Sequence, residues 1–439
     1  MAIKLNPFAG LPNPKTVWAW GMYDLANQSF TLLVNTLLFA VYFREVIVVD
    51  DVQRGTSLWG IVFAASMLLV VIFSPLLGAL ADSRGLRKAI LVGTGVCCAS
   101  LTIGLGFTGP GLVVLAIVLY IPANFCYQIG ENFLASFLPS ISTPRNIGRI
   151  SATGWAMGYV GALCLLALTI GGMLAFGLGD KENWRPFLFM AGVWFLVIMS
   201  PAVLVLREPP VVRSSDAQQS VVRDTFRRLG QTLRSAREYT QLVRFLAAFF
   251  VFGMGVQTVI AFAAILAGDF GITGTGLAVF VLQITVTAGA AAIATGFFQD
   301  RIGAKATVLI YLVVWMISSA ALLTISSIPD CPQWAFWVVG NGIGFGMGGI
   351  GTASRSMVGK FAPGHKTAEF FGLWGMVYKF AGVVGVASFS QVNAWMGMEN
   401  SLALLLGFFA VGFVLTLRVR EVAGIRAARR AERETALAS

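Results

Sequence analysis

Gly78-Ala-Leu-Ala-Asp82-Ser-Arg84-Gly85-Leu-Arg87-Lys88 returns, loosened, as Gly296-Phe-Phe-Gln-Asp300-Arg301-Ile-Gly303-Ala-Lys305. Each copy opens on a glycine, sets an acid four residues on, and closes with a second glycine among bases. The chemistry suits a tight turn at a membrane surface. The first glycine lets neighbouring helices approach, the Asp can meet a helix amino terminus or an Arg, and the bases stay at the headgroups. One copy follows the second of the chain's long apolar runs and the other follows the eighth, so the sequence reads as two halves.

Those runs are long enough to cross about 30 Å of hydrocarbon at about 1.5 Å per residue. Twelve lie near 16–42, 56–81, 89–108, 110–138, 150–176, 186–206, 242–267, 274–298, 305–327, 333–357, 367–391 and 400–418. Of the 439 residues, 57% are hydrophobic and only 12% charged, against about 25% charged in soluble domains. A water-soluble fold is excluded, and an all-α membrane protein of twelve transmembrane helices in two pseudo-symmetric six-helix bundles is expected. The predicted domains are 1–206 and 242–418 for the bundles, a linker at 207–241 and a basic tail at 419–439.

The net charge of +11 does not mark a nucleic-acid binder, because the bases sit in short stretches between apolar runs. With the amino terminus inside, the cytoplasmic segments hold 26 of the 31 Lys and Arg, and the outer loops hold four: Arg44, Arg54, Lys181 and Arg185. The bias sets orientation, so both termini and the linker are expected in the cytoplasm of a plasma-membrane protein. The linker run Val222, Phe226, Leu229, Leu233, interleaved with arginines, reads as an amphipathic helix on the inner leaflet; a plain solvated linker is the alternative. The tail arginines read as a topological anchor and not as a binding module. Trp18, Trp20, Trp59, Trp184, Trp334 and Trp337 stand near span ends, mostly as interfacial anchors.

Five cysteines, no Cys-x-x-Cys pair and one histidine, His365, leave neither a disulfide framework nor a zinc site. No secretory signal is evident at the start, no ATP-binding loop is present, and no catalytic constellation can be assembled. No cofactor and no enzyme activity are expected.

Ionisable side chains inside apolar spans are costly and normally face a partner or a wet cavity. There are three: Asp24, Glu131 and Lys379. On the first helix Asp24, Asn27, Gln28, Thr31 and Asn35 recur at helical spacing, and on the fourth Asn124, Gln128 and Glu131 do the same. Gln257 and Thr258, Gln283 and Thr287, and Asn341 within a dense glycine series are the polar residues of the second half. The glycines serve close helix packing or let the helix bend. Arg355 and Glu369 sit at helix ends, as a gate would. A buried network that only fixes the bundle is the alternative reading of the charged three.

The paired glycine-acid-base turns resemble the signature of the major facilitator superfamily, although the first copy has Ser83 where a base is usual. Trp-Ala-Trp20-Gly-Met-Tyr23-Asp24-Leu-Ala26-Asn27 resembles the opening of its vacuole-effluxer-like branch. So do Gly148-Arg149-Ile-Ser151 with Gly154-Trp155-Ala-Met-Gly158-Tyr159, and Ser354-Arg355 followed by Glu369-Phe370-Phe371-Gly372. The resemblance implies two bundles rocking around a central site lined by helices 1, 4, 7 and 10. It makes Asp82, Arg84, Arg149, Asp300, Arg301, Arg355 and Glu369 gating candidates. The branch's acid in helix 7 is replaced by Met254, which opens the question of cargo.

The function expected is secondary transport of a small polar or zwitterionic metabolite, an amino acid being one candidate. Asp24, Asn27, Gln28, Thr31, Asn124, Gln128, Glu131, Gln257, Asn341 and Lys379 are the binding or coupling residues, with protons as a possible co-substrate. Export of amphiphilic or aromatic compounds and a non-transporting receptor or assembly factor are the alternatives. The oligomeric state is not legible.

Overall fold

The computed structural model describes residues 13–49, 51–142, 147–208, 239–328, 331–363 and 367–438. The expected amphipathic helix of the linker, His365, and the side chains of Asp82, Arg149, Asp300 and Glu369 lie outside the described residues. Among those described, the long helices are α1 (Pro14–Ile47), α2 (Val52–Arg84), α3 (Arg87–Leu105), α4 (Val113–Ser136), α5 (Ile147–Phe176) and α6 (Arg185–Val205). They continue as α7 (Thr240–Asp269), α8 (Gly274–Ile302), α9 (Ala304–Ser326), α10 (Gln333–Phe361), α11 (Thr367–Met396) and α12 (Met398–Leu417). A further helix, α13 (Glu421–Ala438), follows. Hydrocarbon cannot bond to backbone amides, so continuous helices are the form these apolar runs take. Eleven are apolar enough to cross a membrane on length and composition alone. The glycine-rich α10 matches them in length but is less apolar. The tail, read from sequence as a topological anchor, forms a helix whose start is docked on its own unit.

The chain divides into two compact units. The first holds Met1–Gly55, Ala65–Thr225 and Gly274–Val279; the second holds Thr56–Ala64, Phe226–Thr273 and Phe280–Ser439. The start of α2 therefore belongs to the second unit. There Trp59 is fully buried, its indole donating to Ala261 O at 2.8 Å, and Ser390 Oγ donates to Ser57 O at 2.9 Å. This corrects the anchor reading for Trp59, and the burial of Trp184 and Trp20 corrects it for those two, whereas Trp18 and Trp334 are exposed.

The repeated motif explains itself at its second glycine. Gly85 (φ 65°) ends α2 in the left-handed region and Gly303 (φ 90°) ends α8 there, a backbone state that side chains disfavour. At the first glycine no close helix approach is seen: among the described residues a Cβ at Gly78 or Gly296 would meet nothing within 4 Å. Each turn starts a helix whose first N–H groups have no partner in the helix, and in each unit a carboxylate from just past the sixth helix supplies it. Glu208 accepts from Arg87 N and Lys88 N, both at 2.7 Å. Glu421 accepts from Ala304 N at 3.1 Å and Lys305 N at 3.0 Å, and pairs with Lys360 Nζ at 3.1 Å. Nothing in the motif announces these two acids; the matching Arg207-Glu208 and Arg420-Glu421 pairs are the trace they leave.

In the first unit α1 lies along a glycine row on α5. A Cβ at Gly154 would fall on the Trp20 ring, and one at Gly161 would come within 2.8 Å of Leu25 O. Such small-residue rows let helix backbones approach closely where lipid provides no hydrophobic drive.

Two outcomes are expected. Gly161→Ala, meeting a backbone carbonyl that cannot move aside, should destabilise the detergent-solubilised protein by about 1–3 kcal/mol. Gly171→Ala on the same helix, where nothing lies within 4 Å, should stabilise it by about 0.5–1 kcal/mol; thermal unfolding reads both. For Glu421, burial raises the carboxyl pKa, but the backbone donors of Lys305 and Ala304 and the ammonium of Lys360 outweigh it and hold the group below the ordinary range. A depressed pKa contributes stability above the unfolded value, near 4.3, and loses it as pH falls through the lowered folded value. Glu421→Gln should therefore cost about 1–2 kcal/mol at neutral pH, and its difference from the parent should vanish in acid.

Candidate functional site

The polar face of α1 meets α4 and α5 inside the first unit. Asn27 is buried, and its Nδ2 donates to Glu131 Oε1 on α4. Its Oδ1 is equally buried and has no hydrogen-bond partner among the described residues. Glu131, Asp24, Gln28, Thr31 and Gln128 are half-buried. Asp24 and Gln28 crowd against Gly158 of α5: a Cβ there would stand 3.2 Å from Gln28 Nε2 and 3.5 Å from Asp24 Oδ2. Two of the three intramembrane charges thus stand in one unit, on facing helices, with amide and hydroxyl groups about them.

Thr31 adds a residue the sequence reading missed. Its hydroxyl lies 3.2 Å from Asn27 O and 2.8 Å from the Tyr127 hydroxyl. One hydroxyl proton serves one of these contacts; with Thr31 bonded back to Asn27 O, Tyr127 donates to Thr31. Tyr127 stacks on Phe30 at 5.1 Å and stands one turn before Glu131. The signal was available, since Asn124, Tyr127, Gln128 and Glu131 share helical spacing, but a tyrosine in an aromatic-rich chain does not stand out.

Trp20 and Tyr23 brace this helix. The Trp20 indole donates to Leu134 O at 2.8 Å, and the Tyr23 hydroxyl donates to Leu91 O at 3.0 Å. Between Ser29 and Leu37 helix α1 widens into a π-helical stretch, a form found at functional sites. It changes the register of the stripe laid out for an α-helix. Asn35 leaves that stripe and joins a buried chain: the Tyr120 hydroxyl donates to Asn35 Oδ1 (2.8 Å), Asn35 Nδ2 to Asn124 Oδ1 (3.1 Å), and Asn124 Nδ2 to Ser66 Oγ (2.6 Å). Asn124, singled out as a lining residue, is fully buried with its amide engaged in this chain.

The candidates of the second unit are spread out. Gln257 is buried where α7 meets α11, its Nε2 facing Tyr378 O at 3.5 Å and the backbone of Gly382. Asn341 is exposed on α10 and accepts from Thr287 Oγ1 at 3.0 Å. Lys379 is half-buried on α11, one turn from Trp374-Gly375. Of the gating candidates with described side chains, Arg84 and Arg301 are exposed and Arg355 is half-buried. No cluster of three or more His, Cys, Asp or Glu that could hold a metal occurs among the described residues.

A family model described as vacuole effluxer Atg22 like matches residues 44–147 and 144–429. The uncharacterized MFS-type transporter YxiO of Bacillus subtilis is 24% identical over 415 residues, covering 92% of this chain and 94% of its own. Autophagy-related protein 22 of Yarrowia lipolytica is 25% identical over 289 residues, which is 59% of this chain; that match spans about half, 48%, of the fungal protein. Among solved structures, a D-xylose-proton symporter superposes with a TM-score of 0.71 at 12% identity over 93% of this chain and 98% of its own. The nucleoside transporter NupG does so with 0.63 at 14% over 94% and 99%. At such identity these two speak for the fold alone. The family match runs over most of a chain already seen to consist of long apolar helices with the paired turns. The chain therefore belongs to the vacuole effluxer Atg22-like family, and it is a multi-pass secondary transporter of the major facilitator type, not an enzyme.

Proposed function

We propose that this transporter moves a small polar or zwitterionic metabolite, an amino acid being the leading candidate, by alternating access coupled to protons. The observation that carries the reading is the Asn27 and Glu131 pair: a half-buried carboxylate in a membrane helix, held by an amide whose own carbonyl oxygen is buried and unmatched. A buried acceptor without a donor costs about 1–3 kcal/mol, so Asn27 Oδ1 invites a donor from cargo, such as an ammonium or hydroxyl. Glu131, the carboxylate bonded by Asn27, is proposed to be the group that takes and releases the proton. Asp24 and Gln28 set the floor at Gly158. Lys379 is proposed to serve an anionic group of the cargo, and Asp82, Arg84, Arg149, Asp300, Arg301, Arg355 and Glu369 to gate.

The distribution of bases supports both termini inside; 1–206 and 242–418 are proposed as the two moving bundles, and a plasma membrane as their location. The family description supports efflux as the direction.

Reconstituted vesicles test this. Under an imposed pH gradient, uptake of labelled amino acids should be concentrative. Glu131→Gln should lower it by at least about tenfold, because one ionisable group is removed, while exchange of cargo across the membrane persists. Gly158→Ala should raise the half-saturating cargo concentration with little effect on thermal stability, since Gln28 and Asp24 are side chains that can yield. Unchanged flux in both Glu131→Gln and Asp24→Asn sinks the proposal.

A further inference from the structure

Helix α13 follows the last membrane helix after only Arg418, Val419 and Arg420. One face of it is committed to the second unit. Gly424 and Ala428 are buried, a Cβ at Gly424 would run into the Phe361 ring, and Glu421 is clamped to the start of α9 and to Lys360. Arg420 N also donates to Gln241 Oε1 at 2.7 Å. Among the described residues the opposite face makes no such contact. Val422, Arg426, Arg429 and Arg433 recur at i, i+4, i+7 and i+11, which places them in one row, and all are exposed. No acid stands in the row itself, though exposed Glu432 flanks it. Arg430 stands beside it, paired with Glu434 at 2.9 Å.

We infer that this row is a docking surface for the anionic headgroups of the leaflet from which α12 emerges. Three features favour lipid over an acidic protein. The clamp at Glu421 holds the start of the helix within reach of the end of an apolar span, so the row cannot swing away from the headgroup layer. The row begins on Val422, 61% exposed, and turns cationic beyond it, the order expected of a helix whose apolar foot enters the acyl boundary while its arginines stay among headgroups. The cations are all arginine, whose fork matches phosphate oxygens in pairs. The row ties the second unit to leaflet composition.

The inference does not rest on the cargo reading, and its test does not measure transport. The full-length protein is placed in nanodiscs of phosphatidylcholine, with and without phosphatidylglycerol, and backbone hydrogen exchange is followed over 421–434. Phosphatidylglycerol should slow exchange by about tenfold, less at high salt. The gain should disappear in the triple variant Arg426→Gln, Arg429→Gln, Arg433→Gln. The Ala304 and Lys305 amides, held by Glu421, report whether the variant keeps its fold, and Arg433→Gln alone, farthest from the clamp, should lose part of the gain without risk to it. Equal exchange in both lipids overturns the inference, as does a gain that survives the triple variant. So does equal protection in pure phosphatidylcholine by inorganic phosphate, which would make the ligand a free anion, or by polyglutamate, which would make it an acidic protein.

Discussion

Hydrocarbon offers no hydrogen bonds, and every polar feature of this protein is arranged around that fact. Backbone amides are satisfied by unbroken helices. Where a helix must begin, at Arg87 and at Ala304, the unpaired N–H groups receive a carboxylate from another part of the same unit. The same solution appears twice at equivalent places, so the internal repeat is one of physical function as well as of sequence. In the second unit the carboxylate also holds Lys360 and starts α13, and one residue thereby fixes three elements.

The constraint sorts the polar side chains of the first unit into two groups. In the chain from Tyr120 through Asn35 and Asn124 to Ser66, each amide is bonded on both sides and deeply buried. It joins α1, α2 and α4 and pins the π-helical stretch. Around Glu131 the carboxylates are half-buried while Asn27 is buried, and Asn27 Oδ1 has no partner among the described residues. A network meant only to hold helices together would close, as the first does. The second, beside carboxylates, keeps one buried acceptor unmatched among the described residues.

Much of this was legible in order. Twelve apolar runs and two copies of one turn dictated the fold class, because span length and hydrogen-bond satisfaction leave few options in lipid. The family blocks gained physical content in the structure. Trp20 and Gly154 meet, Gly158 makes room for Asp24 and Gln28, and Tyr23 reaches the backbone of α3. Tyr127 was overlooked because an aromatic residue carries no charge to draw notice. Glu208 and Glu421 were overlooked because their partners are backbone groups more than a hundred residues away, which no local pattern encodes.

The sequence by itself determined that the chain crosses a membrane in paired halves and that Asp24, Glu131 and Lys379 are its costly intramembrane charges, since hydropathy and helical spacing act over neighbouring residues. Only the tertiary structure decided which polar groups close on one another and which stay open. It put Asn35 and Asn124 into the bundle, set Glu131 against Asn27, buried Trp59 beside Ala261, and folded the basic tail into a docked helix. These outcomes depend on which helices touch and at what register, and the partners so supplied, not residue type or burial alone, fix whether a polar atom is bonded, as in Asn35 and Asn124, or unmatched among the described residues, as in Asn27 Oδ1.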